Sequence, residues 1–338
     1  MKKELAQSYR CPATGEALKL EVSKEQGGEV IEGAFVAACG NRYPIRNGLP
    51  DFTYPFTLEA SDEEARQYYN EKADEYDAFL PLTFDTFKED ETAVRNRMID
   101  DLNLKPDSMV LEVGAGSGRD SELILKRLDR DGQLFLQDIS PGIFSKAVEK
   151  LKHATPAPAF FLSNGSYLPF ADNSFDATYH FGGLNTFANI KRAIAEAVRV
   201  TKVGGKVVIG DESMPVWLRD TEFGKVLMNS NPHYRYGLPL ECMPVEARKT
   251  RLRWIVGEVF YVIDFEVGEG TPAADLDFEI PGPRGGTHRT RYYGHMEGVT
   301  PEVKRAAQEA ARHSGKSLHQ WLCDTINAAA AQNRKSGT

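Results

Sequence analysis

Glu112, Gly114, Gly116, Gly118 and Asp138 are the residues whose types and spacing point most directly to ligand chemistry. The first four lie in M-V-L-E-V-G-A-G-S-G-R-D-S (Met109–Ser121), an apolar run that ends in alternating glycines. A helical pattern over Glu122–Leu128 follows, so the stretch reads as strand, tight turn, helix. A Cβ at these glycines would block a positive φ or a close approach of backbone to ligand. The following helix turns free N–H groups and its positive dipole end towards that ligand. Asp138 ends a second apolar run, Gln133–Gln137, twenty residues after Gly118. A ribose-binding carboxylate is expected at that distance in a nucleotide-binding βαβ unit. Glu112 is placed to organise the loop or to meet a cationic ligand end.

Alone, such a turn serves NAD, FAD, S-adenosylmethionine (SAM) or only a change of chain direction. Its spacing is G-x-G-x-G, not the G-x-G-x-x-G of the dinucleotide fingerprint. Two further stretches narrow the choice. Leu168–Asp176 reads L-P-F-A-D-N-S-F-D, and Ala195–Gly205 reads A-E-A-V-R-V-T-K-V-G-G. With the glycine loop and Asp138, these resemble, in order, motifs of the class I SAM-dependent methyltransferases. The nearest branch is that of ubiquinone and menaquinone biosynthesis. The resemblance covers about Tyr68 to Ser213. It implies an α/β fold: a Rossmann-like seven-stranded sheet with helices on both faces. It also implies SAM as cofactor, with Glu112, Gly114, Gly116 and Gly118 around its amino-acid portion and Asp138 on the ribose. Ile139 would pack on the adenine edge. Asn164 and Gly165 stand where relatives carry G-D-A, and the Asn164 amide oxygen would accept from the adenine amino group. Tyr68–Asp77 (Y-Y-N-E-K-A-D-E-Y-D) resembles the lid helix of this branch, and places Tyr69 or Tyr76 at the cofactor. His180 follows the fourth strand, Phe175–Tyr179, and is the catalytic candidate near the transferred methyl, although without a visible partner a histidine that only hydrogen-bonds backbone or cofactor is the preferred reading.

The bulk numbers agree with a globular enzyme. The chain has 338 residues, 41% hydrophobic and 27% charged, with a net charge of −8. That balance argues against broad nucleic-acid binding, and the long insertion with its aromatic residues favours a pocket for a small-molecule acceptor. No apolar run approaches a membrane span and no signal-peptide core opens the chain, so a cytoplasmic location is expected. The four cysteines are scattered and imply no disulfide framework.

The organisation expected around the site has three parts. Residues 1–56 resemble a zinc-ribbon module, but Thr14 and Val36 replace two thiolates beside Cys11 and Cys39, so no metal is expected. Residues 57–298 form the methyltransferase domain: lid helices to 107, core 108–213, an insertion over 214–250 that shapes the acceptor pocket, and a closing hairpin over 251–298. In that hairpin Arg253–Val267 is one long strand and Pro281–Tyr293 supplies a turn and the seventh. Phe79–Phe87 is a candidate acceptor-pocket lining. Arg284, Arg289 and Arg291 are candidates for an anionic group on the acceptor. Residues 299–338 resemble a ribbon-helix-helix tail, with six Lys/Arg against three Asp/Glu from Pro301 onward. Its strand, His295–Thr300, is poor in basic side chains, so a helical hairpin for packing or homodimerisation is preferred to DNA reading. An RNA or peptide methyltransferase and a SAM-sensing DNA regulator stay as alternatives.

Overall fold

Seven strands in the order β10-β11-β9-β8-β5-β6-β7 form the central sheet of the computed structural model, which describes residues 1–294 and 299–335. Before it come β1 (Leu18–Gln26), β2 (Glu29–Ala37), β3 (Arg42–Arg46), β4 (Leu49–Pro50), α1 (Ala60–Glu71), α2 (Ala73–Phe87) and α3 (Glu91–Asp100). The core alternates strand and helix: β5 (Met109–Val113), α4 (Arg119–Leu125), β6 (Gln133–Asp138), α5 (Pro141–Leu151), β7 (Ala159–Leu162), β8 (Phe175–Phe181), α6 (Ile190–Val200) and β9 (Thr201–Glu212). Then follow α7 (Glu222–Ser230), β10 (Ala247–Ile255) and β11 (Phe260–Val267), and beyond them α8 (His288–Tyr293), α9 (Pro301–His313) and α10 (Leu318–Lys335). Compact packing divides the chain into Met1–Thr271 and Pro272–Thr338. Among the described residues no helix is long and apolar enough to cross a membrane.

The expected α/β class holds. Strands β5 to β9 pair in parallel, and β11 pairs antiparallel with both β9 and β10. Buried on both faces, the central strands carry continuous apolar runs, such as L-F-L (Leu134–Leu136) in β6, rather than alternating ones. Helix α6 buries Ala193, Ile194, Ala197 and Val198, a stripe at helical spacing, and starts where Asn189 accepts from Arg192 N–H at 2.9 Å. The chain leaves β5 outward to β6 and β7 and then returns to β8 on its other side. The crevice between the carboxyl ends of β5 and β8 is therefore the topological switch point, where open α/β sheets bind ligands.

The closing hairpin corrects an expectation. Arg253–Val267 is not one strand: it is the end of β10, a turn, and β11, and the pair is complete by Val267. The turn uses positive φ at Val256, Gly257 and Glu258. Pro281–Tyr293 supplies no seventh strand; it ends in α8, which Thr287 and Thr290 open with a reciprocal capping box. At Gly257, φ is +61° and an added Cβ would lie 1.9 Å from a Phe87 ring carbon. Gly257→Ala is expected to cost about 1–3 kcal/mol in urea unfolding, through overpacking and a strained φ.

The N-terminal strands form an antiparallel sheet, β1-β2-β3-β4. It does not have a core of its own. Tyr9, Phe35 and Phe52 pack with Phe135, Phe161 and Phe170 in one aromatic cluster. Phe52 N–H donates to Leu162 O at 2.8 Å, so the segment after β4 covers the edge strand β7. Cys11 Sγ lies 3.3 Å from the Tyr43 hydroxyl, both buried.

In the second unit Thr300 caps α9 and Pro301 fills its first turn, while Ser317 Oγ accepts from Gln320 N–H at 3.2 Å. The helices make the hairpin expected there. The strand expected over His295–Thr300 falls largely on residues 295–298, outside the described residues. Arg289 is held by Asp277 and Arg291 by the Gly285 carbonyl.

Candidate cofactor and acceptor site

A cavity of about 850 Å³ opens at the switch point. Tyr69, Glu112, Gly114, Gly116, Asp138, Ile139, Asn164, Gly165 and His180 all line it, so nine of the ten residues singled out in the sequence come together. Gly118 is not among the lining residues. Its φ is +78°, and a Cβ there would lie 3.1 Å from Ala147 Cβ, so it serves the turn and the close approach of α5.

The loop after β5 is built from inside. Gly114 N–H donates to Gln137 Oε1 at 3.0 Å, Gly116 N–H to Asp138 Oδ2 at 2.8 Å, and Gly118 N–H to Ala115 O at 2.9 Å. These three amides are used within the protein. What the loop offers a ligand is its shape and the remaining lone pairs of Asp138. The other Asp138 oxygen accepts from Ser140 N–H at 2.8 Å. Burial pushes the Asp138 carboxyl up to about 6, although backbone donors work the other way. Glu112 is buried, its Oε2 has no partner, and burial with the nearby Asp120 carboxylate holds it well above the ordinary range.

The lid helices are tied to this loop by residues that the sequence did not reveal. Asp77 of α2 accepts from Ser117 Oγ at 2.6 Å and from Arg119 Nε at 3.0 Å. Asn70 of α1 accepts from Ser140 Oγ at 2.8 Å and Gly142 N–H at 2.7 Å. At the far end Asp62, also of α1, accepts from Asn164 Nδ2 at 2.8 Å and from Ala188 N–H at 2.9 Å. The Asn164 amide oxygen already accepts from Ser166 N–H at 2.9 Å. A carboxylate thus stands beside Asn164, supplied by the lid rather than by the loop after β7. Tyr69 and Tyr76 both reach the cavity, with ring centroids 5.8 Å apart. Of the three phenylalanines in Phe79–Phe87 only Phe84 lines it; Phe79 is exposed and Phe87 packs on Gly257.

His180 is buried, its Nδ1 donates to the Val113 carbonyl at 2.8 Å, and Nε2 has no protein partner. Burial lowers its pKa to about 4. With its Nδ1 proton committed to the Val113 carbonyl, the neutral ring offers Nε2 as an acceptor of hydrogen bonds. An added Cβ at Gly114 would lie 3.2 Å from its Nδ1, so the missing side chain lets the histidine pack on the loop.

Beyond His180 the cavity turns polar again. Asp211 is buried and accepts from the backbone of Gly183, Asn185 and Glu212, holding the Gly182–Gly183 turn. Burial, then the adjacent Glu212, push it up to about 7. Glu212 accepts from Asn231 Nδ2 at 2.7 Å and lies 3.0 Å from His233 Nδ1. Asn231, Pro232, His233 and Tyr236 are the part of the 214–250 insertion that lines the cavity; Trp217 lies instead against Trp254.

Residues 111–209 match the family model described as a methyltransferase domain. Over 162 residues the chain is 32% identical to a demethylmenaquinone methyltransferase of Renibacterium salmoninarum, covering 48% of this chain and 64% of that protein. It is 30% identical to a ubiquinone/menaquinone biosynthesis C-methyltransferase of Cupriavidus pinatubonensis, over 34% of this chain and 47% of the relative. A solved SAM-dependent methyltransferase from Aquifex aeolicus aligns with TM-score 0.38 and 18% identity, covering 51% of this chain and 89% of that one. The matches span less than two thirds of these curated relatives' own length. The match to the methyltransferase domain runs from β5 to β9 of the central sheet; the N-terminal sheet and the C-terminal helices fall outside it.

Proposed function

We propose that this protein transfers a methyl group from SAM to a small-molecule acceptor. The observation that carries the reading is one cavity with two differently equipped ends. One end has the glycine loop, buried Glu112 and Asp138; the other has Asp211, Glu212, Asn231 and His233. The residues present suit SAM. The Asp138 carboxylate keeps lone-pair capacity for ribose hydroxyls beyond the backbone donors it accepts, the unpartnered Glu112 Oε2 suits a cationic amine, and the Asp62–Asn164 pair suits an exocyclic amino group. When bound, SAM supplies an electrophilic methyl on a sulfonium. The chain's own task is to align the acceptor and exclude water, with α1 and α2 lying over the glycine loop. The curated relatives carry quinone-pathway names, which supports an aromatic, quinol-like acceptor.

Calorimetric titration with SAM and with S-adenosylhomocysteine tests the reading. Micromolar binding of both is expected, and absence of both would sink it. The pH dependence has a definite sign. Ribose hydroxyls donate to the ionised Asp138, whose pKa in the free protein is about 6. Affinity should be flat above that value and fall as pH drops through it, approaching about tenfold per pH unit in the Asp138 contribution. Asp138→Asn, which cannot titrate, should remove that part of the slope.

A further inference from the structure

We propose that His233, held by Glu212, takes the proton of the methyl acceptor, and hence that the acceptor carries an acidic O–H of the phenol or enol class. This inference rests on the methyltransferase reading above and assigns its second ligand.

The geometry is that of a supported base. Glu212 ends β9, at the carboxyl edge of the sheet. Both its oxygens are engaged: Oε1 accepts from Asn231 Nδ2 at 2.7 Å, and Oε2 lies 3.0 Å from His233 Nδ1. Asn231 also accepts, through Oδ1, from His233 N–H at 3.0 Å, so one asparagine fixes both members. A carboxylate at Nδ1 selects the tautomer with its proton there and leaves the Nε2 lone pair for a ligand. The Tyr236 ring stands edge-on to the imidazole at 5.5 Å. The His233 side chain is 48% exposed, open enough to meet a ligand and to pass a proton to water.

The two histidines on this cavity have opposite environments. Burial takes His180 down, whereas the Glu212 contact raises His233, with Asp211 adding in the same direction and partial burial opposing. Oppositely shifted groups in one site are how acid–base roles are divided. Asp211 is a poorer candidate, because its oxygens already accept from three backbone N–H groups.

In the proposed step the acceptor O–H proton passes to His233 Nε2, giving an imidazolium paired with Glu212. The electron pair released on the acceptor, at oxygen or at a conjugated ring carbon, forms the new bond to the methyl carbon. The carbon–sulfur bond breaks with its pair kept on sulfur, which loses its positive charge. When the methyl joins a ring carbon, that carbon's proton leaves to solvent. The imidazolium then gives its proton to water. Atoms and charge balance without an oxidant or a metal.

The test uses the full chain and a chromophoric phenol, 4-nitrophenol, whose anion absorbs at longer wavelength than the neutral form. Wild-type protein saturated with S-adenosylhomocysteine is titrated with the probe below its free pKa. Growth of the phenolate band on binding is expected. His233→Gln should weaken that band by roughly tenfold or more, the loss of one charge-assisted hydrogen bond. Glu212→Gln, which keeps a hydrogen bond but removes the charge, should fall between the two. S-Adenosylhomocysteine affinity, measured by calorimetry, should stay at the wild-type value in both variants, which also shows that they are folded. An undiminished phenolate band in His233→Gln, or a probe bound only as neutral phenol by wild type, overturns the proposal alone. Failure of wild type to bind S-adenosylhomocysteine overturns the methyltransferase reading and takes the transfer step with it.

Discussion

Asp138→Ala should weaken SAM binding by about 100-fold or more, because a carboxylate that accepts from two ligand hydroxyls contributes two charge-assisted hydrogen bonds of roughly 1.5–3 kcal/mol each. The loss reaches beyond the ligand contacts. Gly116 N–H and Ser140 N–H both donate to this side chain, so truncation leaves the loop after β5 and the start of α5 without their shared acceptor. The expectation is a large loss of affinity together with a smaller loss of stability, since two backbone N–H donors lose their acceptor. Calorimetry gives the affinity, and thermal unfolding of the ligand-free protein gives the stability. An Asp138→Ala protein that melts as wild type does and binds SAM with unchanged affinity would remove the ribose assignment. One that no longer melts cooperatively would mean that Asp138 chiefly holds the loop.

How far the site was legible depends on how local its parts are. Glu112 to Gly118 is one contiguous turn, and Asp138 ends the very next strand, so a short βαβ unit brought them together without tertiary knowledge. The lid was only half legible. Its helical pattern and tyrosines could be read, but Asp62, Asn70 and Asp77 meet partners 40 to 126 residues away. Which face of α1 and α2 turns inward is settled by packing on the core, not by an acid's place in an acidic helix. The same holds for Glu212 and His233, whose pairing needs β9 and the turn after α7 to converge.

The hairpin was misread for a different reason. Arg253–Val267 is apolar at ten of its fifteen positions, which suits one long strand as well as two. The break lies at Val256, Gly257 and Glu258, all with positive φ, and a β-branched valine is among the residues least expected there. One glycine was a weak signal against so continuous a run. Of the insertion read over 214–250, Asn231, Pro232, His233 and Tyr236 line the cavity, whereas Trp217 packs on Trp254.

Arg95→Ala is expected to cost about 3–5 kcal/mol of stability, the range found when one partner of a buried ion pair is removed. The guanidinium is buried on the wall of the cavity, with its side chain 8% exposed and that of its partner Asp120 7%. Nη1 donates to Asp120 at 2.7 Å and Nε to Glu91 at 2.7 Å, while the planar group lies over the rings of Phe84 and Phe181. Burial alone would favour a neutral group, but Asp120 and its neighbours outweigh it and hold Arg95 firmly charged. Without that charge, Asp120 is left beside Glu112, two buried acids with no cation between them and with Asp120 Oδ1 and Glu112 Oε2 already lacking partners. Some of the cost will be avoided by protonation of one acid, so the loss should be larger at pH 8 than at pH 5. The decisive comparison is with Asp120→Asn in the same background. If the loss comes from an uncompensated carboxylate, the double variant should recover a substantial share of it in urea unfolding. If it comes from the cavity left between Phe84 and Phe181, the second substitution should recover nothing, and the ion pair would then be a minor contributor to the fold beneath the glycine loop.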